Sequence, residues 1–162
     1  MNLKKIAMYQ STKIFDNYSI AIRQHKAQHS HCQLIHGYAL KFKVWFYGKD
    51  IDNPLDDMNW VVDFGGFKSQ PVGNGLKDWM NNMFDHTMLI EKDDPYKDLF
   101  ETMQMEGICK VHFLEKIGAE SLAKLVYDKF NDVLKKTDAG RCRVLRVECF
   151  ENDKNSAIYE KD

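Results

Sequence analysis

YALKFKVWFYG, residues 38–48, decides the fold class. Leu40, Phe42, Val44 and Phe46 alternate with Lys41, Lys43, Trp45 and Tyr47, the period of a strand with one buried face. A strand of this kind needs neighbours, and the chain supplies them on both sides. Upstream, TKIFDNYSIAIRQ (12–24) mixes β-branched and aromatic residues and predicts a strand. Downstream, beyond a loop at Asn53-Pro54, NWVVDFGGF (59–67) predicts a shorter strand ending at Gly65-Gly66.

Helical spacing takes over after that. In GLKDWMNNMF (75–84), Leu76, Trp79, Met80 and Met83 share a face. A short apolar run, TMLI, follows, then an acidic turn with Pro95 at a first helical position and a helix to about Met105. ICKVHFLEK (108–116) predicts a strand. Residues 118–136 form the strongest helix, with Leu122, Leu125, Val126, Phe130, Val133 and Leu134 in one stripe and Lys135 and Lys136 suiting the dipole of its last turn. RCRVLRVECFE (141–151) alternates again, and SAIYE (156–160) adds an edge strand. Strands, helices, a strand, a helix and strands predict an α+β domain with its helices on one face of a mostly antiparallel sheet. Strict strand–helix alternation and a glycine-rich phosphate turn, the marks of a doubly wound fold, are missing.

No repeat or linker divides the 162 residues, so residues 1–162 are expected to form one domain. Lys+Arg 23 against Asp+Glu 24 leaves a net charge of −1, which gives no footprint for nucleic acid or an anionic membrane. The start, MNLKKIAMYQSTK, has no apolar core of a signal peptide or membrane span. The expectation is a cytoplasmic protein with a small-molecule partner. Cys32, Cys109, Cys142 and Cys149 form no CxxC pair and are expected as free thiols.

Chemistry concentrates in HKAQHSHCQLIHGY (25–38), where His25, His29, His31 and His36 crowd Cys32. Three nitrogen donors and an open position would suit a catalytic zinc; a solvated histidine-rich loop is the plain alternative. Cys32 beside a histidine can be a thiolate base or nucleophile, a zinc ligand, or an idle loop thiol. Asp85-His86 pairs a carboxylate with an imidazole, a possible proton relay. Glu148, counted by period two, shares a face with Val144 and Arg146, where it either pairs with Arg146 or grips an N–C–N ligand edge through two parallel hydrogen bonds. Glu120 suits the start of its helix.

These pieces together resemble the 6-pyruvoyl-tetrahydropterin synthase family, which includes 6-carboxy-tetrahydropterin synthase of the queuosine pathway. CQLIHGY is similar to the family's Cys-x-x-x-His-Gly-His, WVVDFGGFK to Val-x-Asp-Phe-x-x-Leu-Lys, MFDHTML to Leu-Asp-His-x-x-Leu, GAESLAK to the Pro-Thr-x-Glu helix start, and VLRVECFE to a strand ending in Val-x-Glu-Thr. The resemblance implies the tunnelling fold, a four-stranded antiparallel sheet with two main helices on one face, assembled into a barrel, typically a hexamer. It implies a zinc-dependent lyase that converts 7,8-dihydroneopterin triphosphate to 6-carboxy-tetrahydropterin with loss of triphosphate and acetaldehyde. Its sibling alternatives are a 6-pyruvoyl-tetrahydropterin synthase and an inactive pterin- or purine-binding homologue. By position, Cys32 is the expected base, Asp85 and His86 the relay, Glu148 the pterin anchor and Glu120 a further substrate contact. His25, His31 and His36 are the expected zinc ligands. Tyr38 stands where the family has the second histidine of His-Gly-His, with His29 and His31 as substitutes, and Gly118-Ala119 replaces Pro-Thr.

Overall fold

The computed structural model describes residues 8–68, 75–137 and 140–161. Along them run β1 (Gln10–Arg23), β2 (His36–Gly48), α1 (Leu76–Phe84), β3 (Thr87–Glu91), α2 (Lys97–Met105), β4 (Val111–Leu114), α3 (Ala119–Thr137), β5 (Cys142–Phe150) and β6 (Ser156–Glu160). The strands form one six-stranded sheet in the order β4-β3-β1-β2-β5-β6. The sheet is thus wider than the four strands expected; β1, β2, β5 and β6 pair antiparallel within it. The sheet continues past β1 with two strands that pair parallel, β3 on β1 and β4 on β3.

That parallel extension is an addition to the antiparallel expectation, and its cause lies in TMLIE. Leu89 enters the main core while its neighbour Ile90 joins Phe100 and Val111 in a separate cluster. A strand buried on both faces reads as a continuous apolar run rather than an alternating one. Successive side chains of β3 point to opposite faces, so α2 covers one face and α1 and α3 cover the other.

Alternation in β2 builds the main core: Leu40, Phe42, Val44 and Phe46 are at most 1% exposed. On β1 a bulge between Phe15 and Tyr18 carries Asn17 at φ 65°, a left-handed position that asparagine tolerates. The bulge lets both Phe15 and Tyr18 face the core. A second shift lies between Trp45 and Phe46 against β5. Beside it, Asn131 of α3 accepts from the Val144 N–H (2.9 Å) and donates to the Val144 carbonyl (3.3 Å). Replacing Asn131 with alanine leaves two buried backbone groups unpaired. The expected cost is about 1–3 kcal/mol, read as a lower urea midpoint with an unchanged slope.

Residues 59–67 do not form the expected strand. The stretch is irregular until a one-turn 3-10 helix at Gly65–Lys68. Val61 and Val62 still bury their side chains, but carbonyls of the stretch are met by groups outside a strand ladder. Asp56 N–H donates to the Trp60 carbonyl, and the Arg141 guanidinium donates to the Val61 carbonyl. The α2 helix begins at Lys97, two residues after Pro95, because the Asp94 carboxylate takes the Tyr96 N–H (2.9 Å) and closes a turn first.

Candidate functional site

His36 opens β2 directly opposite Ile22 of β1, and Tyr38 stands opposite Ile20. Paired residues of an antiparallel ladder share a face, so both rings lie, with Ile20 and Ile22, on the side covered by α1 and α3. The Nδ1 of His36 lies 2.8 Å from the Leu34 carbonyl, which fixes it as the protonated nitrogen. The remaining lone pair, at Nε2, is buried without a partner. The Tyr38 ring stands edge-on to the His36 ring, 5.1 Å between centroids.

Cys32 sits in the one-turn 3-10 helix His31–Gln33 between β1 and β2. Ser30 Oγ accepts from its N–H (3.2 Å), and its carbonyl accepts from the Gln24 N–H (2.9 Å). The loop is thus tied back to the end of β1. Burial pushes the Tyr38 hydroxyl pKa up, with the charges of Glu151 and Cys32 adding to the effect. Glu151 follows β5 by one residue; burial and then repulsion from Glu120 raise its carboxyl pKa, while His36 opposes the rise. Burial pushes the Cys149 thiol far up, with Glu151 and Glu120 contributing. Gly118, at φ 117°, keeps the start of α3 open: a Cβ there would stand 3.2 Å from the Gln24 amide nitrogen and 3.7 Å from a Glu120 oxygen. Cys32, His36, Tyr38, Glu120 and Glu151 therefore form one polar constellation where β1, β2, β5 and α3 meet.

Glu148 lies elsewhere. It stands opposite Lys43 in the ladder, on the face away from Val147 and Cys149, and accepts from Ser156 Oγ at 2.6 Å. The β5 shift breaks period-two counting after Val144, so Glu148 and Val144 point to opposite faces, contrary to the expected placement. Glu151, one step of the alternation beyond Cys149, is the carboxylate on the site's side. Only its position just before the Asn152–Asn155 turn marks it in the sequence.

Asp85 and His86 do form a pair, with Nδ1 2.9 Å from Oδ1. His86 adopts φ 52° just after α1, and its side chain is 85% exposed. The dyad faces outward at the start of β3. His29 and His31 are exposed.

His25 turns the other way. Its ring approaches Glu91, Asp93 and Asp94 at the end of β3. Among the described residues, one group of three histidine, cysteine or carboxylate side chains brings its ligand atoms within 4.8 Å of one another, and it is His25, Glu91 and Asp93. The expected zinc set of His25, His31 and His36 is not brought together among the described residues: β1 pairs with β3 up to Arg23↔Ile90, and the chain leaving it carries His25 to the end of β3, beside Glu91. A cavity of about 480 Å³ beside Tyr9, Trp60 and Phe64 has a single carboxylate, Asp63, already holding the Gly65 N–H at 2.8 Å. No described helix is long and apolar enough to cross a membrane.

Comparison with solved structures shows the same fold in several proteins. An uncharacterized protein, WS1659, from Wolinella succinogenes superposes with a TM-score of 0.76 at 17% identity, covering 96% of this chain and 99% of that one. The 6-pyruvoyl tetrahydropterin synthase of Caenorhabditis elegans gives 0.62 at 16% identity, with 97% and 98% covered. A catalytic-residue mutant of the Plasmodium vivax 6-pyruvoyltetrahydropterin synthase gives 0.60 at 11% identity, with 95% and 99% covered. A search of curated protein sequences finds no match. The sequence profile described as 6-pyruvoyl tetrahydropterin synthase matches residues 11–162. With the profile spanning nearly the whole chain, the protein belongs to the 6-pyruvoyl tetrahydropterin synthase family.

Proposed function

We propose that the protein is a cytoplasmic lyase acting on 7,8-dihydroneopterin triphosphate, in the branch that forms 6-carboxy-tetrahydropterin for queuosine biosynthesis. One observation carries this reading: a half-buried carboxylate, Glu151, lies within electrostatic reach of Glu120, Tyr38 and His36, whose Nε2 is unpartnered, and Tyr38 lies within reach of Cys32 as well. A pterin ring offers an N–C–N edge whose two N–H donors match one carboxylate. In this proposal Glu151 takes the anchoring role expected of Glu148, and Glu120 is a neighbouring substrate contact. Cys32 takes a proton from a carbon of the substrate's three-carbon tail and the triphosphate departs with the C–O bond electrons. Water then adds to the tail carbon next to the ring, and cleavage of the adjoining carbon–carbon bond leaves the carboxylate on the pterin and releases the other two carbons as acetaldehyde. His36 Nε2 accepts a hydrogen bond from the hydroxyl of that tail.

The zinc of the family resemblance would supply Lewis-acid polarisation of the tail's oxygens. The expected histidines do not converge to hold it, so the steps above rest on the protein's own groups. The exposed Asp85-His86 relay fits presentation to the pocket of a second copy in a barrel oligomer, with a hexamer as the expected form. Free thiols at Cys32, Cys109 and Cys149 suit a reducing compartment.

Incubation with the triphosphate and mass spectrometry of the products tests the reading. Expected are 6-carboxy-tetrahydropterin and acetaldehyde. A 6-pyruvoyl product moves the protein to the sibling activity. Pterin binding without turnover favours an inactive pterin-binding homologue, a reading supported by Ile22 and Tyr38 flanking His36 where further metal donors would be needed. Neither binding nor turnover defeats all three.

Glu151→Gln is expected to weaken pterin binding roughly 10–100-fold, the loss of a charge-assisted hydrogen bond, while Glu148→Gln leaves it unchanged. Titration of pterin fluorescence reads both. Burial raises the Glu151 pKa above 4.5, so its charge costs stability above that raised pKa, and the cost fades as pH falls through it. The melting temperature of Glu151→Gln should therefore rise at neutral pH even as binding falls. Affinity in the native protein should be lost on acidification at a higher pH than an ordinary glutamate would give.

A further inference from the structure

We infer that His25, Glu91 and Asp93 form a binding site for a divalent transition-metal cation, separate from the Cys32–His36 pocket. Their donor atoms lie within 4.8 Å of one another. The His25 side chain is only 10% exposed, and its Nδ1 is buried without a hydrogen-bond partner, 3.5 Å from a Glu91 oxygen and 3.6 Å from an Asp94 oxygen. A lone pair at Nδ1 faces only carboxylate oxygens, which cannot donate to it, and a cation is a partner that suits both. Glu91 itself is buried, 6% exposed at the end of β3.

The turn that carries the carboxylates is already ordered. Asp94 N–H donates to the Glu91 carbonyl (3.1 Å), Lys97 N–H donates to the Asp94 carbonyl (3.0 Å), and Asp94 is clamped by Arg23. Asp94 is thereby committed as support, which leaves Glu91 and Asp93 as ligands. Between these two the Lys26 ammonium now lies, 3.1 Å from Glu91 and 2.6 Å from Asp93. A positive charge thus occupies the place between the carboxylates. Lys26 is half exposed and can swing into solvent, whereas His25 and Glu91 cannot. Among the described residues, Lys116, 4.0 Å from Glu91, is the remaining cation facing the group. With Lys26 displaced, Glu91, Asp93 and Asp94 face Arg23 and Lys116, an excess of one negative charge. One imidazole and two carboxylates suit zinc or manganese, not the all-oxygen shell of calcium or magnesium.

The test is calorimetric titration of the full-length protein with ZnCl2 and with MnCl2, repeated on His25→Ala, Lys26→Ala and His36→Ala, with melting curves as a folding control. Expected is saturable binding of one ion per protomer, weakened at least about 10-fold by His25→Ala and tightened roughly 10-fold by Lys26→Ala, since the ammonium and the metal compete. His36→Ala should bind as the native protein does. Metal should also raise the melting temperature of the native protein and not of His25→Ala. Absence of saturable binding in both the native protein and Lys26→Ala overturns the site and leaves an ion-pair network. Binding that survives His25→Ala, or that disappears with His36→Ala, overturns it as well. None of these outcomes depends on the pterin reaction, so the site and the proposed activity fail separately.

Discussion

Cys32→Ala is expected to lower turnover of dihydroneopterin triphosphate about 10²–10⁴-fold, the range for loss of a positioned general base, with the melting temperature unchanged. The two halves of this result have different origins. The loop's hydrogen bonds use the Cys32 backbone, its N–H to Ser30 Oγ and its carbonyl from the Gln24 N–H, and alanine keeps both. The thiol itself is only partly buried and belongs to no core cluster, so its removal opens no cavity. Cys32→Ser tests the base directly, because a hydroxyl at the same place is a far weaker proton acceptor than a thiolate. It should be nearly as slow as alanine. Cys149→Ala is the contrasting control: that thiol is wholly buried in the main core, and its truncation should lower stability while leaving the per-molecule rate of folded protein intact. Turnover by Cys32→Ala within a few-fold of the native rate would remove Cys32 from the mechanism.

The features legible in the sequence are those that repeat along one element. The alternation of 38–48 and the stripe of 118–136 each describe a face, and both faces are buried as read, with Phe42 and Phe130 inaccessible. What stayed hidden depends on pairing between distant segments. TMLIE is apolar in either partnership, and nothing local says that β3 lies parallel to β1. That pairing carries His25 to Glu91 and away from His36, so the histidine cluster, contiguous in sequence, divides in space. Glu148 shows the same limit on a finer scale. One extra residue in β5 between the partners of Trp45 and Phe46 reverses the face of everything after it, and period-two counting has no means of detecting such a bulge. Glu151 inherits the inward position. Asp85 and His86 needed no long-range pairing, being neighbours in the chain, and they meet as expected.

Phe130→Ala is expected to destabilise the protein by about 3–5 kcal/mol, enough to lower its melting temperature by roughly 6–20 °C. Phe130 is fully buried on α3. Its ring meets Phe15 of β1 edge-on at 5.4 Å, Phe46 of β2 at 6.3 Å and Phe67 at 6.0 Å. Those partners also pack on one another, Phe46 and Phe67 stacking at 5.3 Å, so the ring is the contact by which α3 is held to two strands and to the segment before α1. Truncation loses the transfer free energy of a phenyl group. It also leaves a void whose walls come from four separate elements that cannot all close in at once. Phe130→Leu refills most of that space and should cost clearly less. The loss reaches the candidate site as well, because Glu120 opens the same helix that Phe130 anchors. Near the lowered midpoint, pterin binding should decline together with the unfolding signal. A Phe130→Ala protein that melts within roughly 2–3 °C of the native one would show that α3 is held by other contacts and that the aromatic cluster is not its anchor.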